Sequence, residues 1–254
     1  MMEDLELSAP VNLRDLGGIP VAGGVVRRGL AIRADDLSLT PREDAEALIA
    51  DGLAAVIDLR TANEVHNTGR GVFGELPVAY HHLSLMSPLG GRGEGAQVDV
   101  SDPVFMGGIY DDILETAAAR IVTALAVLAV TPGATAFHCS AGKDRTGVLA
   151  AAFLLTLGAS DEDVVADYAL TGRNSEAIGQ RLRPVLAAIL AEHNIKNTMT
   201  AAAGEQYFSG VAMETMLDTL RRRHGDPLQP LRGAGLQDEL VETLRRRAVV
   251  DPAD

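Results

Sequence analysis

The chain has 254 residues, 47% of them hydrophobic, and a formal net charge of −13. That is apolar content enough for one large domain or two small ones, and the acidic balance argues against nucleic acid or a stable association with an anionic membrane. A single cysteine excludes an intrachain disulfide framework, and six scattered histidines imply no metal centre.

The chain opens on Met1-Met2-Glu3-Asp4, acidic where a secretory leader is basic, and its longest apolar run, Ile121 to Val130, is about half of a membrane span. A cytoplasmic location is expected, with signal-independent secretion left open. Residues 1–34 alternate apolar segments with Gly17-Gly18, Pro20 and Gly23-Gly24, which predicts short hairpin-like strands serving as scaffold. Thr40-Pro41-Arg42-Glu43 reads as a capping box that starts a helix, and Gly52 ends it. Leu53 to Leu59 is a continuous apolar run, as expected of a parallel strand buried on both faces, with Asp58 and Arg60 at its C-terminal end.

Ala79 to Leu85 reads as a further strand. Ser87 to Asp102 is glycine-rich and polar, either a mobile functional loop or a stretch without fixed structure. Phe105 to Val130 is helical with a break near Thr116, and Thr131-Pro132-Gly133 turns it into the strand Ala134–Phe137. Strand, helix and strand in this order imply a parallel crossover. A helix from Thr146 to Leu157 follows, Ser160-Asp161-Glu162-Asp163 caps another, and Asn174 opens a long one to about Glu192. Residues 198–210 read as a break, and amphipathic helices over 211–223 and 236–247 complete the chain. The triplets Arg221-Arg222-Arg223 and Arg245-Arg246-Arg247 fit solvated helix C-termini, where the dipole favours cations.

The chemistry concentrates in His138-Cys139-Ser140-Ala141-Gly142-Lys143-Asp144-Arg145-Thr146-Gly147, between the strand and the helix. Unpaired N–H groups at a helix start point at an anion, and the helix dipole adds roughly half a positive charge. Ala141 and Gly142 are small enough for the backbone to close around a phosphate, and Arg145 can fork onto two of its oxygens. The donors that favour a phosphate also favour a thiolate at Cys139, which can take the phosphoryl group and pass it to water. A buried structural cysteine would explain Cys139 alone and leave Lys143, Asp144 and Arg145 without a reason. The GxxxxGK[ST] nucleotide loop fails because Gly142-Lys143 is followed by Asp144.

His-Cys, five residues, then Arg-Thr resembles the signature loop of the cysteine-dependent protein tyrosine phosphatase superfamily, in the form used by its bacterial tyrosine and dual- or triple-specificity branch. Asn12-Leu13-Arg14-Asp15-Leu16-Gly17-Gly18 and Val56-Ile57-Asp58-Leu59-Arg60 resemble that branch's earlier motifs, and Asp167-Tyr168-Ala169-Leu170-Thr171 and Gly210 to Gly225 are similar more loosely. The resemblance implies an α/β fold over 1–254 as a single domain, with a short, mostly parallel sheet and the site at the C-terminal ends of its strands. Residues 160–205 exceed a minimal catalytic core and would be a helical lid or a packed outer layer.

It also implies hydrolysis of phosphate monoesters through a phosphocysteine, without metal or cofactor. Cys139 is then the nucleophile, Arg145 and the backbone of Ser140, Ala141, Gly142, Lys143 and Asp144 bind the phosphate, Thr146 offers its hydroxyl to the sulfur, and His138 braces the loop. Phosphorylated proteins or phosphoinositides are the implied substrates. A lipid or small-molecule phosphatase and a non-catalytic phosphate-binding module are the alternatives, and neither substrate nor oligomeric state follows from the residues. The general acid is Asp144 first, Asp58 second and Asp102 third, because the Trp that often precedes the acid in this superfamily is absent.

Overall fold

The structure is a computed structural model and describes residues 7–85, 102–192 and 209–252. The glycine-rich stretch 87–101 and most of the break at 198–210 lie outside the described residues.

The first strands are short: β1 (Arg14–Asp15), β2 (Pro20–Val21), β3 (Gly24–Val26) and β4 (Ala31–Ala34). Helix α1 (Arg42–Ala50) leads into β5 (Leu53–Asp58), then α2 (Ala62–Thr68) and β6 (Ala79–His82). Helices α3 (Pro103–Thr116) and α4 (Ala118–Val130) precede β7 (Ala134–His138). The rest is helical, with α5 (Asp144–Leu157), α6 (Asp161–Ala169), α7 (Ser175–Glu192), α8 (Val211–His224), α9 (Gln229–Gly233) and α10 (Asp238–Ala248), before a final strand β8 (Val249–Val250).

The principal sheet runs β1-β4-β7-β5-β6. β4, β7, β5 and β6 are parallel neighbours, and β1 closes one edge antiparallel to β4. Registers bring Ala34 and Asp58 to either side of His138, so three strands end together where the loop after β7 begins. This is the end at which an open α/β sheet places ligands. Along β7, Ala136 packs into the core beneath α1 while Phe137 faces the larger core formed with the helices after β6, the period-two alternation of a strand covered on both sides. Helix α5 is buried throughout Thr146–Leu157 and forms the axis of that larger core.

Several expectations need correction. Pro41, not Thr40, occupies the cap position of α1 and makes no side-chain cap, so Thr40 stands one residue too far out and its buried hydroxyl has no hydrogen-bond partner among the described residues. A capping box does form one helix later, where Thr61 and Glu64 bond each other's backbone N–H at the start of α2. The strand expected over 79–85 ends at His82.

The arginine triplets do more than face solvent. Arg221 pairs with Asp161 and Arg223 with Asp111 and Glu115, while Arg245 donates to the carbonyls of Leu157 and Ala22 and Arg247 to that of Gly133. No single helix among the described residues is long and apolar enough to cross a membrane; α3 and α4 together approach that composition but bend by 75°.

Candidate active site

Residues 139–143 make a short loop from β7 into α5, and the helix starts at Asp144, so the N–H groups of the loop and first turn converge at a helix N-terminus. Cys139 lies at its base, 1% exposed, and the Thr146 hydroxyl donates to its Sγ at 3.2 Å. Gly142 has φ +67, and an added Cβ would come within 2.5 Å of the Ala34 carbonyl oxygen, so only glycine lets the loop rest on the end of β4.

Arg145, in the first turn of α5, points back over the loop. Its Nη1 and Nη2 donate to the two carboxylate oxygens of Glu64 at 2.6 and 2.8 Å, and the Ser140 hydroxyl donates to Glu64 Oε1 at 2.6 Å. The same Glu64 accepts from the Thr61 N–H at 2.7 Å to close its capping box. Burial alone would raise the Glu64 pKa, but the Arg145 hydrogen bonds and charge, with Ser140 and Thr61, bring it down to about 2. Glu64 is the site residue that sequence reasoning missed. Its signal was Thr61-x-x-Glu64, a local helix cap whose long-range second partner no local pattern reveals.

Of the three acid candidates, Asp144 is at the loop. The Tyr110 hydroxyl of α3 donates to its Oδ1, Tyr168 of α6 bonds Tyr110 at 2.8 Å, and Lys143 Nζ lies 3.4 Å away. Burial lowers the Lys143 pKa, against the opposing pull of Asp144 and Cys139. Asp58 is wholly buried and committed elsewhere. Arg60 Nε and Nη2 reach its Oδ1 and Oδ2 at 3.0 and 2.7 Å, and Tyr80 donates to Oδ2 at 2.6 Å. Burial, which would raise its pKa, is outweighed by the His138 and Arg60 charges and these bonds, which hold it far below the carboxylate range. Asp102 caps α3 by accepting from the Val104 N–H at 2.9 Å.

His138 is buried beside this Asp58–Arg60 pair, with Nδ1 3.3 Å from the Leu37 nitrogen and 3.1 Å from the Cys139 carbonyl oxygen. Burial lowers its pKa against the opposing pull of the Asp58 and Asp36 charges, and its contacts with the Leu37 and Cys139 backbone fit bracing the loop rather than moving protons. No grouping of His, Cys, Asp and Glu suited to a metal ion occurs among the described residues.

A profile of the tyrosine phosphatase family matches residues 5–250, nearly the full chain. The chain belongs to that family. The Cupriavidus necator protein named "Putative tyrosine-protein phosphatase" is 32% identical over 189 residues, covering 70% of this chain and 66% of its own. A tyrosine-protein phosphatase of Nostoc commune is 30% identical over 146 residues, 57% of this chain and 49% of that one. The triple specificity protein phosphatase PtpB of Mycobacterium tuberculosis is 29% identical over 280 aligned positions, 94% of this chain and 97% of PtpB. The chain thus spans just under two thirds of the first relative, about half of the second and almost all of the third.

Proposed function

We propose that the protein hydrolyses phosphotyrosine, and in addition phosphoserine, phosphothreonine or phosphoinositides, through a phosphocysteine on Cys139. The observation that carries this is the position of Cys139 at the base of a helix-terminal N–H loop, with Thr146 on its sulfur and Arg145 braced above it by Glu64. Thiolate and phosphate are both stabilised by such a cradle.

In the first step the Cys139 thiolate attacks phosphorus, the ester P–O bond breaks, and Asp144 gives the leaving oxygen its proton. In the second, the Asp144 carboxylate takes a proton from water as its oxygen attacks phosphorus, the P–S bond breaks, and inorganic phosphate leaves with the thiolate restored. Arg145 and the loop N–H groups of Ser140 to Arg145 hold the equatorial oxygens, where charge must be stabilised in the transition state. Asp144 is favoured as the acid over Asp58 because its side chain is 27% exposed at the loop, whereas Asp58 is enclosed with Arg60.

Phosphotyrosine as substrate is supported by the family, and breadth beyond it by the likeness to a triple-specificity relative along almost its whole length. Cys139→Ser tests the mechanism: turnover should vanish while binding of a phosphate ester stays measurable, since the backbone cradle and Arg145 are untouched. Residual hydrolysis within about tenfold of the parent would exclude a phosphocysteine. A panel of phosphotyrosine, phosphoserine and phosphothreonine peptides and phosphoinositides, run on the parent, tests the breadth.

A further inference from the structure

A loop whose N–H groups converge on an anion must turn its carbonyls the other way, and those oxygens need donors behind them. Three successive carbonyls find them here. Ser140 O accepts from the Asp36 N–H at 3.0 Å, Ala141 O and Gly142 O both accept from Asn12 Nδ2 at 3.2 Å, and Gly142 O also accepts from Arg33 Nη2 at 2.8 Å.

Arg33 is wholly buried. Its other terminal nitrogen, Nη1, is held by Asp167 Oδ2. Asp167 Oδ1 accepts from Arg14 Nε at 3.0 Å, and Arg14 Nη1 in turn donates to Asn12 Oδ1 at 2.7 Å. One carboxylate on α6 therefore aims both side-chain donors to the Ala141 and Gly142 carbonyls, Arg33 directly and Asn12 by way of Arg14. Two guanidiniums share this single carboxylate. Burial foremost, then the Arg33 charge, pull the Arg14 pKa down to about 10 against the pull of Asp167. Thr171, after α6, closes the arrangement by accepting from Arg14 Nη2 at 3.2 Å and from Asn12 Nδ2 at 3.5 Å.

We propose that Asp167 is a positioning residue for phosphate binding: through Arg33, and through Arg14 and Asn12, it holds the Ala141 and Gly142 carbonyls turned back so that the loop N–H groups face the ligand. This rests on the phosphatase reading of the loop and adds a residue on a different helix to its machinery. It accounts for Asp167 and Thr171 together, and for Asn12 and Arg14 near the N-terminus, which otherwise look like scaffold.

The sign of one substitution separates positioning from charge. Asp167→Asn removes a negative charge from beneath an anion site, so by electrostatics alone phosphate should bind more tightly. If Asp167 works by aiming the arginines, phosphate should bind more weakly, by about tenfold for the loss of one charge-assisted hydrogen bond. The measurement is the concentration of inorganic phosphate that half-protects Cys139 from iodoacetamide, which needs no turnover, taken well below the melting temperature of each variant.

Arg33→Lys is the companion. It keeps the charge but cannot reach Asp167 and Gly142 O together, and should weaken phosphate to a similar degree. Should neither variant accumulate folded, Asn12→Ser removes two carbonyl contacts without changing charge, and the same weakening is expected. Unchanged or tighter phosphate binding in a folded variant overturns the proposal, whatever the melting temperature does, since a purely structural role lowers stability and leaves affinity alone. A parent that phosphate does not protect would instead overturn the phosphatase reading itself.

Discussion

The placement of Cys139 and Arg145 on one loop was legible from the sequence because it is local: a strand end, a tight loop and a helix start lie within the ten residues 138–147. Glu64 was not, because its partners at the loop, Ser140 and Arg145, lie 76 and 81 residues further along the chain. Its role is testable by pH. The Glu64 pKa is about 2 folded against 4.5 for an ordinary glutamate, so its contribution to stability is complete above pH 4.5 and is lost as pH falls toward 2. Glu64→Gln should therefore flatten the decline of the urea midpoint across that window. The variant should also raise KM for a phosphate ester by about tenfold, because Arg145 loses the charged partner that aims it; an unchanged acid slope would show that the pair adds nothing to stability.

Asp144 carries a second residue-scale prediction. Asp144→Asn should cut turnover of an alkyl phosphate by roughly 10²–10⁴-fold, and far less that of an activated aryl phosphate whose leaving group needs no proton. Equal losses on both substrates would make Asp144 structural, a brace between Tyr110 and Lys143.

The elements themselves were readable wherever hydrophobic pattern and punctuation agreed. Leu53–Asp58, Ala134–His138 and the helix into Gly158, whose φ of +85 suits a left-handed cap, all stand where the apolar runs placed them. Missed were α2, too short and polar to show a period, and β8, a strand that exists only because β3 pairs with it. The bend between α3 and α4 was anticipated, but the reason α3 lies where it does was hidden in Gly107.

A Cβ at Gly107 would stand 2.5 Å from Thr215 Cβ and 2.7 Å from the Ala212 carbonyl oxygen, so the glycine lets α3 and α8 approach closely. Alanine is the better helix former by about 1 kcal/mol, yet the clash is with backbone as well as side chain, and overpacking costs about 1–3 kcal/mol. Gly107→Ala should thus lower the melting temperature. It should also disturb Asp144 through Tyr110, one turn along the same helix face, and so slow alkyl phosphate hydrolysis more than aryl. A rise in melting temperature would mean that α8 yields freely.

At the scale of the whole molecule, the two ends of the chain are tied together: β8 pairs with β3, and Arg245 staples α10 to Leu157 and Ala22. The tie is invisible to a reading that treats Arg245-Arg246-Arg247 as a solvated face, because the acceptors of Arg245 and Arg247 are backbone carbonyls from distant parts of the chain. It encloses a core containing the chain's one cysteine. Cys139 is 1% exposed, so on the proposed reading a reagent and phosphate would compete for the same approach to its sulfur. Hydrogen peroxide would convert the thiolate to a sulfenic acid, and with no second thiol in the chain, recovery must come from a sulfenamide or an external thiol. Inorganic phosphate should then slow peroxide inactivation in proportion to its occupancy of the site, and added dithiothreitol should restore activity after brief exposure. Inactivation at the same rate with and without saturating phosphate would place Cys139 outside the phosphate site, and with it the phosphocysteine would fall.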